Sequence, residues 1–168
     1  MIRRRDGGRT VRRRRPQQKN RTLYQSYRRP SRIRFCRRPA DTARLAAELV
    51  RSSLINVWLL RGPLGSGKTT FVRGALRALG YRGVVPSPTF SLSRAYLLSH
   101  PRWRRLVHVD AYRLRHGREE VALDVASAAN DPRCLLVVEW PDKLKHRPWS
   151  RALRISFAHH GRGRRISF

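Results

Sequence analysis

The stretch from Gly62 to Thr69, Gly-Pro-Leu-Gly-Ser-Gly-Lys-Thr, matches the P-loop pattern G-x-x-x-x-G-K-[ST] in full. In this pattern the glycines let backbone N–H groups turn toward phosphate oxygens, Lys68 reaches the β and γ phosphates, and the Thr69 hydroxyl ligates Mg²⁺. The apolar run Val57 to Leu60 precedes the loop and a helical stretch through Leu79 follows it, which is the order that the motif requires. The sequence therefore predicts a binding site for a nucleoside triphosphate.

Two carboxylates are candidates to complete this site. Asp110 follows the apolar run Leu106 to Val109, and Glu139 follows the apolar run Cys134 to Val138. Because a P-loop site needs a carboxylate near its metal, often at the end of a neighbouring buried strand, we expect both acids at one shared site. One would hold Mg²⁺ directly or through water, and the other would orient or activate the attacking water. The residues alone leave open which acid takes which role.

Three further residues have a functional and a structural interpretation. Thr89, after Pro86 and Pro88, is either a switch-loop hydroxyl that senses the γ-phosphate or a plain turn residue. Trp140 is either a buried aromatic anchor or part of the nucleotide pocket. His108 fits a packed core histidine better than a catalyst.

The elements around these residues predict an α/β fold. Strands that read as continuous apolar runs alternate with helical stretches, which is typical of a sheet with helices on both faces. We expect a three-layer P-loop NTPase with a mostly parallel central sheet and some antiparallel late strands. The other expected elements are a helix capped by Asp41 or Thr42 with Leu45, Leu49 and Val50 on its apolar face, a strand over Phe90–Leu98, a helix over Glu119–Ala129, and strands over Arg151–Phe157 and Arg164–Phe168.

The charge divides the chain into two parts. The 168 residues carry a formal charge of +29, which excludes an ordinary acidic enzyme. Residues 1–40 hold 16 basic residues and one acidic residue, with few apolar anchors, so we expect a basic, disordered extension or a start codon placed too far upstream. Residues 41–168 are expected to form the P-loop domain. Clustered cations favour nucleic acid as a partner, although 35 of the 39 basic residues are Arg, which a GC-rich coding sequence also accumulates.

The compartment is predicted from cysteine usage and hydropathy. Cys36 and Cys134 are two thiols in a chain that is long enough to fold without disulfides, which fits a reducing compartment. The sequence has no apolar run near the roughly 20 residues that a membrane-spanning helix needs. We therefore expect a soluble, cytoplasmic protein with no membrane partner.

Four sequence blocks together resemble the TsaE (YjeE) ATPases, which act in the biosynthesis of N6-threonylcarbamoyladenosine at position 37 of tRNA. The blocks are Gly62 to Phe71, Ser87-Pro88-Thr89-Phe90, His108 to Leu114, and Glu139-Trp140-Pro141, in this order and spacing. The similarity runs from about Asp41 to Phe168. It implies a P-loop ATPase that uses ATP and Mg²⁺, hydrolyses ATP weakly alone, and acts with the transferase TsaD and its relative TsaB. The tRNA would be reached only through that complex.

The resemblance also implies roles for individual residues. Asp110 takes the place of a catalytically important aspartate, acting with Lys68 and Glu139, and the Mg²⁺ ligands would be Thr69 and Glu139. The nucleotide would be bound by Gly65, Ser66, Gly67, Lys68, Thr69, Thr70, Thr89, Trp140 and Arg162. The chain departs from the family at Pro63, where an acid is usual, and over Val121–Asn130, where the usual Leu-Gly and Glu-Tyr pattern is missing.

Two other functions remain open at this stage. A small-molecule P-loop kinase would need an arginine-rich lid, which Arg102, Arg104 and Arg105 could supply. A basic nucleic-acid-binding protein with a vestigial P-loop would use the N-terminal extension and residues 162–165.

Overall fold

Seven strands form one mixed sheet within the part of the chain that the structure describes. The structure is a computed structural model that describes residues 32–88, 92–113, 125–144 and 147–168. In chain order the elements are β1 (Ile33–Cys36), α1 (Pro39–Ser52), β2 (Val57–Arg61), α2 (Lys68–Ala78), β3 (Ser93–Leu97), β4 (Arg105–Asp110), α3 (Val125–Asn130), β5 (Cys134–Glu139), β6 (Leu153–His160) and β7 (Gly163–Ser167).

The strand order is β1-β7-β6-β2-β5-β4-β3. The four central strands, β6, β2, β5 and β4, run parallel, whereas β3, β7 and β1 pair antiparallel at the two sides. The predicted α/β class with a mostly parallel centre is confirmed, and the late strands β6 and β7 form the expected antiparallel pair. An antiparallel strand also closes the other side, where β3 pairs with β4.

Helices cover both faces of the sheet, so the protein has three layers. On one face α1 and α2 pack together over a core that includes Trp58, Phe71 and Ile155. On the other face α3 packs on β5, over a second cluster that includes Leu136 and Val138. The strands β2, β4 and β5 are buried on both faces, which explains their continuous apolar sequences.

The first helix begins earlier than expected. Pro39 occupies its first turn, where the missing N–H of proline costs nothing. The Asp41 carboxylate accepts hydrogen bonds from the backbone N–H groups of Arg37 and Arg38, at 3.1 and 2.9 Å, so Asp41 caps the helix from its third position and not from the position before it. The predicted apolar face is confirmed, since Leu45 and Leu49 are buried.

The edge strand β1 lies within the segment that we assigned to the basic extension. Its four residues pair with β7, with Ile33 opposite Ser167 and Cys36 opposite Arg164. The folded unit therefore includes residues 33–40 and begins before residue 41. Residues 1–31, the predicted strand start at Phe90 and the predicted helix start at Glu119 lie outside the described residues.

Candidate functional site

The P-loop connects β2 to α2 at the carboxyl ends of the parallel strands. Gly62 opens it with φ +145°, and a Cβ there would collide with the backbone carbonyl oxygen of Phe157, so this position requires glycine. Gly67, at φ +97°, stands directly before the first residue of α2. The N-terminus of α2 thus points its unpaired N–H groups into the loop, as an anion site needs.

Lys68 is almost fully buried at the start of α2, with 4% of its surface exposed. Its Nζ donates hydrogen bonds to the carbonyl oxygens of Gly62 and Pro63, at 3.0 and 2.9 Å, and lies 4.2 Å from the centre of the Trp140 ring. Burial lowers the pKa of the Lys68 ammonium, and the nearby carboxylates of Glu139 and Asp110 oppose that shift. The side chain is therefore a cation held inside the loop.

Glu139 joins the P-loop to the sheet. The Thr69 hydroxyl donates to Oε1 of Glu139 at 3.0 Å, and Nε2 of His108 lies 2.9 Å from the same oxygen. An ionised carboxylate only accepts, so an ionised Glu139 pairs with the tautomer of His108 that has its proton on Nε2. His108 is fully buried, as expected for a core histidine, but its contact with Glu139 also makes it a positioning residue for the site.

Asp110 and Glu139 end neighbouring parallel strands and stand opposite each other in the register of β4 and β5. Both acids are buried, and Oδ1 of Asp110 accepts a hydrogen bond from the backbone N–H of Tyr112 at 3.1 Å. The structure therefore brings the two predicted carboxylates together beside Lys68. The contact between Thr69 and Glu139 distinguishes Glu139 as the acid next to the P-loop hydroxyl.

Trp140 takes an unusual backbone conformation directly after Glu139. Its φ of 58° and ψ of 48° lie in the left-handed region, which is costly for a residue with a bulky side chain. This conformation places the indole against both Lys68 and Tyr112, whose ring centre is 5.0 Å away. Trp140 is partly buried against the core and also lines the cavity described below.

These residues surround a cavity of about 320 Å³. Its lining comes from the P-loop, the loop before β3, and the ends of β4 and β5. The lining residues are Leu64, Gly65, Ser66, Gly67, Lys68, Thr69, Thr70, Ser87, Asp110, Tyr112, Arg113, Glu139 and Trp140.

Arg162 lies outside that cavity, on the other side of the P-loop. It lines an adjoining cavity of about 180 Å³ together with Gly65 and Thr70. Its neighbour Arg164 contacts the loop directly, because Nη2 of Arg164 donates to the carbonyl oxygen of Gly65 at 2.9 Å. The hairpin of β6 and β7 therefore supports the outer side of the P-loop.

Most of the predicted site residues lie together, with two differences. Thr89 lies outside the described residues, and Arg162 borders the P-loop from the adjoining cavity. Sequence reasoning missed Arg164, which nothing in its local pattern distinguishes from the adjacent Arg162 and Arg165. It also missed Tyr112 as a pocket residue, although its place two residues after Asp110 was an available signal.

The side chains present fit a Mg²⁺ ion that is shared with phosphate. Thr69 and Glu139 supply a hydroxyl and a carboxylate oxygen, which are the hard ligands that Mg²⁺ prefers. Within the described residues no cluster of three or more His, Cys, Asp or Glu side chains has metal-binding geometry. In the same residues no helix has the length and apolarity to cross a membrane.

Comparison with known proteins agrees with the motifs. Residues 36–166 match the family model described as "Threonylcarbamoyl adenosine biosynthesis protein TsaE". A Streptomyces coelicolor protein named "tRNA threonylcarbamoyladenosine biosynthesis protein TsaE" is 42% identical over 104 residues, which are 60% of this chain and 65% of that protein. A Mycobacterium tuberculosis protein of the same name is 34% identical over 119 residues, which are 67% of this chain and 68% of that protein. The match thus spans just under two thirds of the Streptomyces relative.

The fold has a solved counterpart. The structure titled "Crystal structure of Bacillus subtilus YdiB" superposes with a TM-score of 0.61 and 24% identity, over 82% of this chain and 83% of that one. At this identity the likeness concerns the fold alone. The family model covers residues 36–166, from the end of β1 into β7, and it decides the assignment. The chain belongs to the TsaE family of tRNA threonylcarbamoyladenosine biosynthesis.

Proposed function

We propose that this protein is a Mg²⁺-dependent ATPase required for N6-threonylcarbamoyladenosine formation at position 37 of tRNA. The observation that carries this proposal is the 3.0 Å contact between the Thr69 hydroxyl and the Glu139 carboxylate, beside the buried ammonium of Lys68. A complete P-loop facing two buried strand-end acids is the arrangement that phosphoryl transfer to water uses. The family assignment supports the tRNA modification pathway.

Each side chain then has a step. The N–H groups of the P-loop and the start of α2 bind the β and γ phosphates, and Lys68 exchanges its two loop carbonyls for phosphate oxygens. Thr69 and Glu139 would hold Mg²⁺, and the ion would supply positive charge to neutralise the phosphate oxygens. Asp110, held by the N–H of Tyr112, orients and activates the attacking water.

The outer cavity offers room for the rest of the nucleotide. It shares Gly65, Gly67 and Thr70 with the phosphate pocket, so a molecule whose phosphates lie at the start of α2 extends naturally into it. Arg162 lines this cavity, in agreement with a contact to ATP. By the family resemblance we assign Thr89, which lies outside the described residues, to a switch segment that senses the γ-phosphate.

We infer partner dependence from the family resemblance and from the small number of arginines at the site. Arg113 is the one arginine among the described residues that line the phosphate cavity, and Arg162 approaches from outside it. Since a stabilising arginine contributes a large part of the rate in many P-loop hydrolases, we propose weak hydrolysis by the chain alone and faster turnover with a TsaB–TsaD complex in the cytoplasm. The tRNA substrate would be bound by that complex.

Arg102 and Arg105, two of the arginines that a kinase lid would need, lie away from the phosphate cavity. Arg105 begins β4, whereas Asp110 ends it, so the two are separated by about 16 Å of extended strand. Arg105 forms an ion pair with Asp131 at 3.3 Å, and Arg102 donates to the carbonyl of Ser53. These arginines are engaged at the end of the sheet away from the phosphate cavity.

A titration and a turnover assay test the proposal. Binding of ATP and Mg²⁺ is measured by calorimetry, and phosphate release is followed with and without purified TsaB–TsaD. Lys68→Ala should abolish nucleotide binding, while Lys143→Ala, a change of the same type in the turn after β5, should leave it unchanged. Faster phosphate transfer to a metabolite than to water, or nucleotide binding that survives Lys68→Ala, would reject the ATPase.

A further inference from the structure

Part of the sheet surface is left uncovered by the helices. On the side opposite α1 and α2, α3 packs on β5, and no described helix packs on β6, β7 and β1. Strand alternation places one set of side chains on this surface, which we call the open face. It comprises Ile33, Phe35, Arg154, Ser156, Ala158, His160, Arg165 and Ser167.

An exposed aromatic pair is the main feature of the open face. Phe35 keeps 60% of its surface exposed, and its ring centre lies 4.8 Å from that of His160. The two residues belong to β1 and β6, on either side of β7, and His160 stands opposite Gly163 in the register. Because Gly163 has no side chain, nothing separates the rings. A Cβ at Gly163 would lie 2.6 Å from the carbonyl oxygen of Cys36, so the position itself requires glycine.

Arginines lie close to this pair, because Arg37, Arg162 and Arg164 line a cavity of about 490 Å³ together with Phe35 and His160. Residues 32–40 and 153–168 contain eight arginines and neither Asp nor Glu. Arg165 stands opposite Phe35 in the register and is exposed, and within the described residues it forms no ion pair. By contrast Arg34, on the helix side of β1, is paired with Glu48 at 3.3 Å. The guanidinium of Arg165 thus lies on the same side of the sheet as the exposed rings.

Hydroxyl groups complete the surface. Ser156 and Ser167 stand opposite each other in β6 and β7, on the same side as Phe35 and one pair along the strands from Arg165. A sheet surface with an exposed ring pair, an unpaired guanidinium and hydroxyl donors has the chemistry that binds unstacked bases and their phosphates. A duplex offers no free base faces to such a surface.

We propose that the open face binds single-stranded RNA directly, with a base stacked on Phe35 and His160 and a phosphate on Arg165. This contact with RNA would be direct and would need no partner protein. The cavity beside Phe35 and His160 shares Arg37, Arg162 and Arg164 with the outer cavity that we assign to the nucleotide, so the test below also includes ATP. RNA is the partner that the face fits best, since its 2′-hydroxyls match Ser156 and Ser167. The positive charge of Arg165 would then bind an RNA phosphate.

The test uses the full chain and a fluorescein-labelled 12-nucleotide single-stranded RNA, with binding followed by anisotropy. Phe35→Ala should weaken binding at least about fivefold, since base stacking on an aromatic side chain is worth that much or more. Phe35→Tyr keeps the ring and should retain binding. Leu97→Ala is the matched control, because Leu97 is 82% exposed on the edge strand at the far side of the sheet.

Two further measurements distinguish RNA binding at the open face from nonspecific attraction of RNA to the positive charge of the protein. A 2-aminopurine base in the RNA should lose fluorescence on binding, and Phe35→Ala should remove that change. Arg165→Gln should lower the slope of log affinity against log salt by about 0.7, as expected for one lost phosphate contact on a single strand. Arg51→Gln, which removes an exposed cation from the last turn of α1, should leave the 2-aminopurine signal and the affinity near those of the natural chain.

Several outcomes would overturn the proposal. Equal binding by Phe35→Ala and Leu97→Ala would mean that the ring pair is not used, and equal affinity for duplex RNA would reduce the interaction to backbone charge. Equal affinity for single-stranded DNA would mean that Ser156 and Ser167 do not contact 2′-hydroxyls, and RNA would not be the preferred partner. Competition between saturating ATP and the RNA would assign Phe35 to the nucleotide pocket. Loss of a protein partner but not of RNA in Phe35→Ala would make the open face a protein interface.

Discussion

Replacing Glu139 with Gln should abolish hydrolysis and leave the fold intact. Oε1 of Glu139 accepts from Thr69 and from His108, and a glutamine amide keeps a carbonyl oxygen in that place. The substitution also removes a charge that is only 3% exposed, which lowers the cost of burial, while Lys68 loses one favourable neighbour. These opposing effects should leave the free energy of unfolding within about 1 kcal/mol of the natural value.

The effect on catalysis should be much larger. The amide oxygen is a weaker Mg²⁺ ligand than a carboxylate, and the ion would stabilise charge in the transition state more poorly. We expect partner-stimulated phosphate release to fall at least 100-fold, which corresponds to about 2.7 kcal/mol of lost transition-state stabilisation. Raising the Mg²⁺ concentration should restore part of the lost rate.

The assay combines thermal unfolding with phosphate release over a range of Mg²⁺ concentrations. Asp142→Asn is the control, because Asp142 lies in the turn after Glu139 and is exposed in an ion pair with Arg61 at 2.7 Å. It should keep the natural rate and Mg²⁺ dependence. A Glu139→Gln protein that hydrolyses within tenfold of the natural chain, at an unchanged Mg²⁺ requirement, would refute the assignment of this carboxylate to the metal.

Three other predictions concern the surroundings of the site. Arg164→Ala should raise the Kd for ATP about three- to tenfold by calorimetry, because the P-loop loses its hydrogen bond at the Gly65 carbonyl, and an unchanged Kd would contradict this role. His108→Leu should lower kcat at least tenfold with little change in KM. His108→Gln keeps a donor for the Glu139 carboxylate and should recover most of the lost kcat. Equal kcat values for the two variants would make His108 a packing residue only. Burial raises the pKa of both Cys36 and Cys134, so both thiols should resist a thiol reagent at pH 8 until denaturant is added, and rapid labelling of the folded chain would contradict this. Their contribution to stability is fully present below the ordinary thiol pKa of 9.0 and is lost as the pH rises above it, which denaturant titrations at pH 8 and pH 10 measure.

The parts of the fold that sequence reasoning predicted are those specified by local pattern. The central strands are continuous apolar runs because both of their faces are buried, and the P-loop is one contiguous motif. Asp110 and Glu139 were predicted to meet because parallel strands bring their carboxyl ends to one edge of the sheet.

The parts that escaped prediction depend on distant partners. The strand β1 has only four residues, one of them arginine, and it exists because it pairs with β7, about 130 positions later. Nothing local separates Ile33–Cys36 from the basic segment before it. The contact of Arg164 with Gly65 joins residues 99 positions apart, and a sequence with so many arginines does not reveal which one reaches the loop.

The structure also explains how the P-loop accepts Pro63. The two contacts that close the loop at this residue use its carbonyl oxygen, which accepts from Nζ of Lys68 at 2.9 Å and from the backbone N–H of Ser66 at 3.3 Å. Proline lacks only the N–H group, so both contacts remain available to it. The glycine before it takes the left-handed φ, and the next glycine, Gly65, does the same at +69°, so proline stands between the positions that need backbone freedom. Its fixed φ therefore stiffens the loop without removing a contact seen in the structure, and an acid at this position is not required for the P-loop geometry.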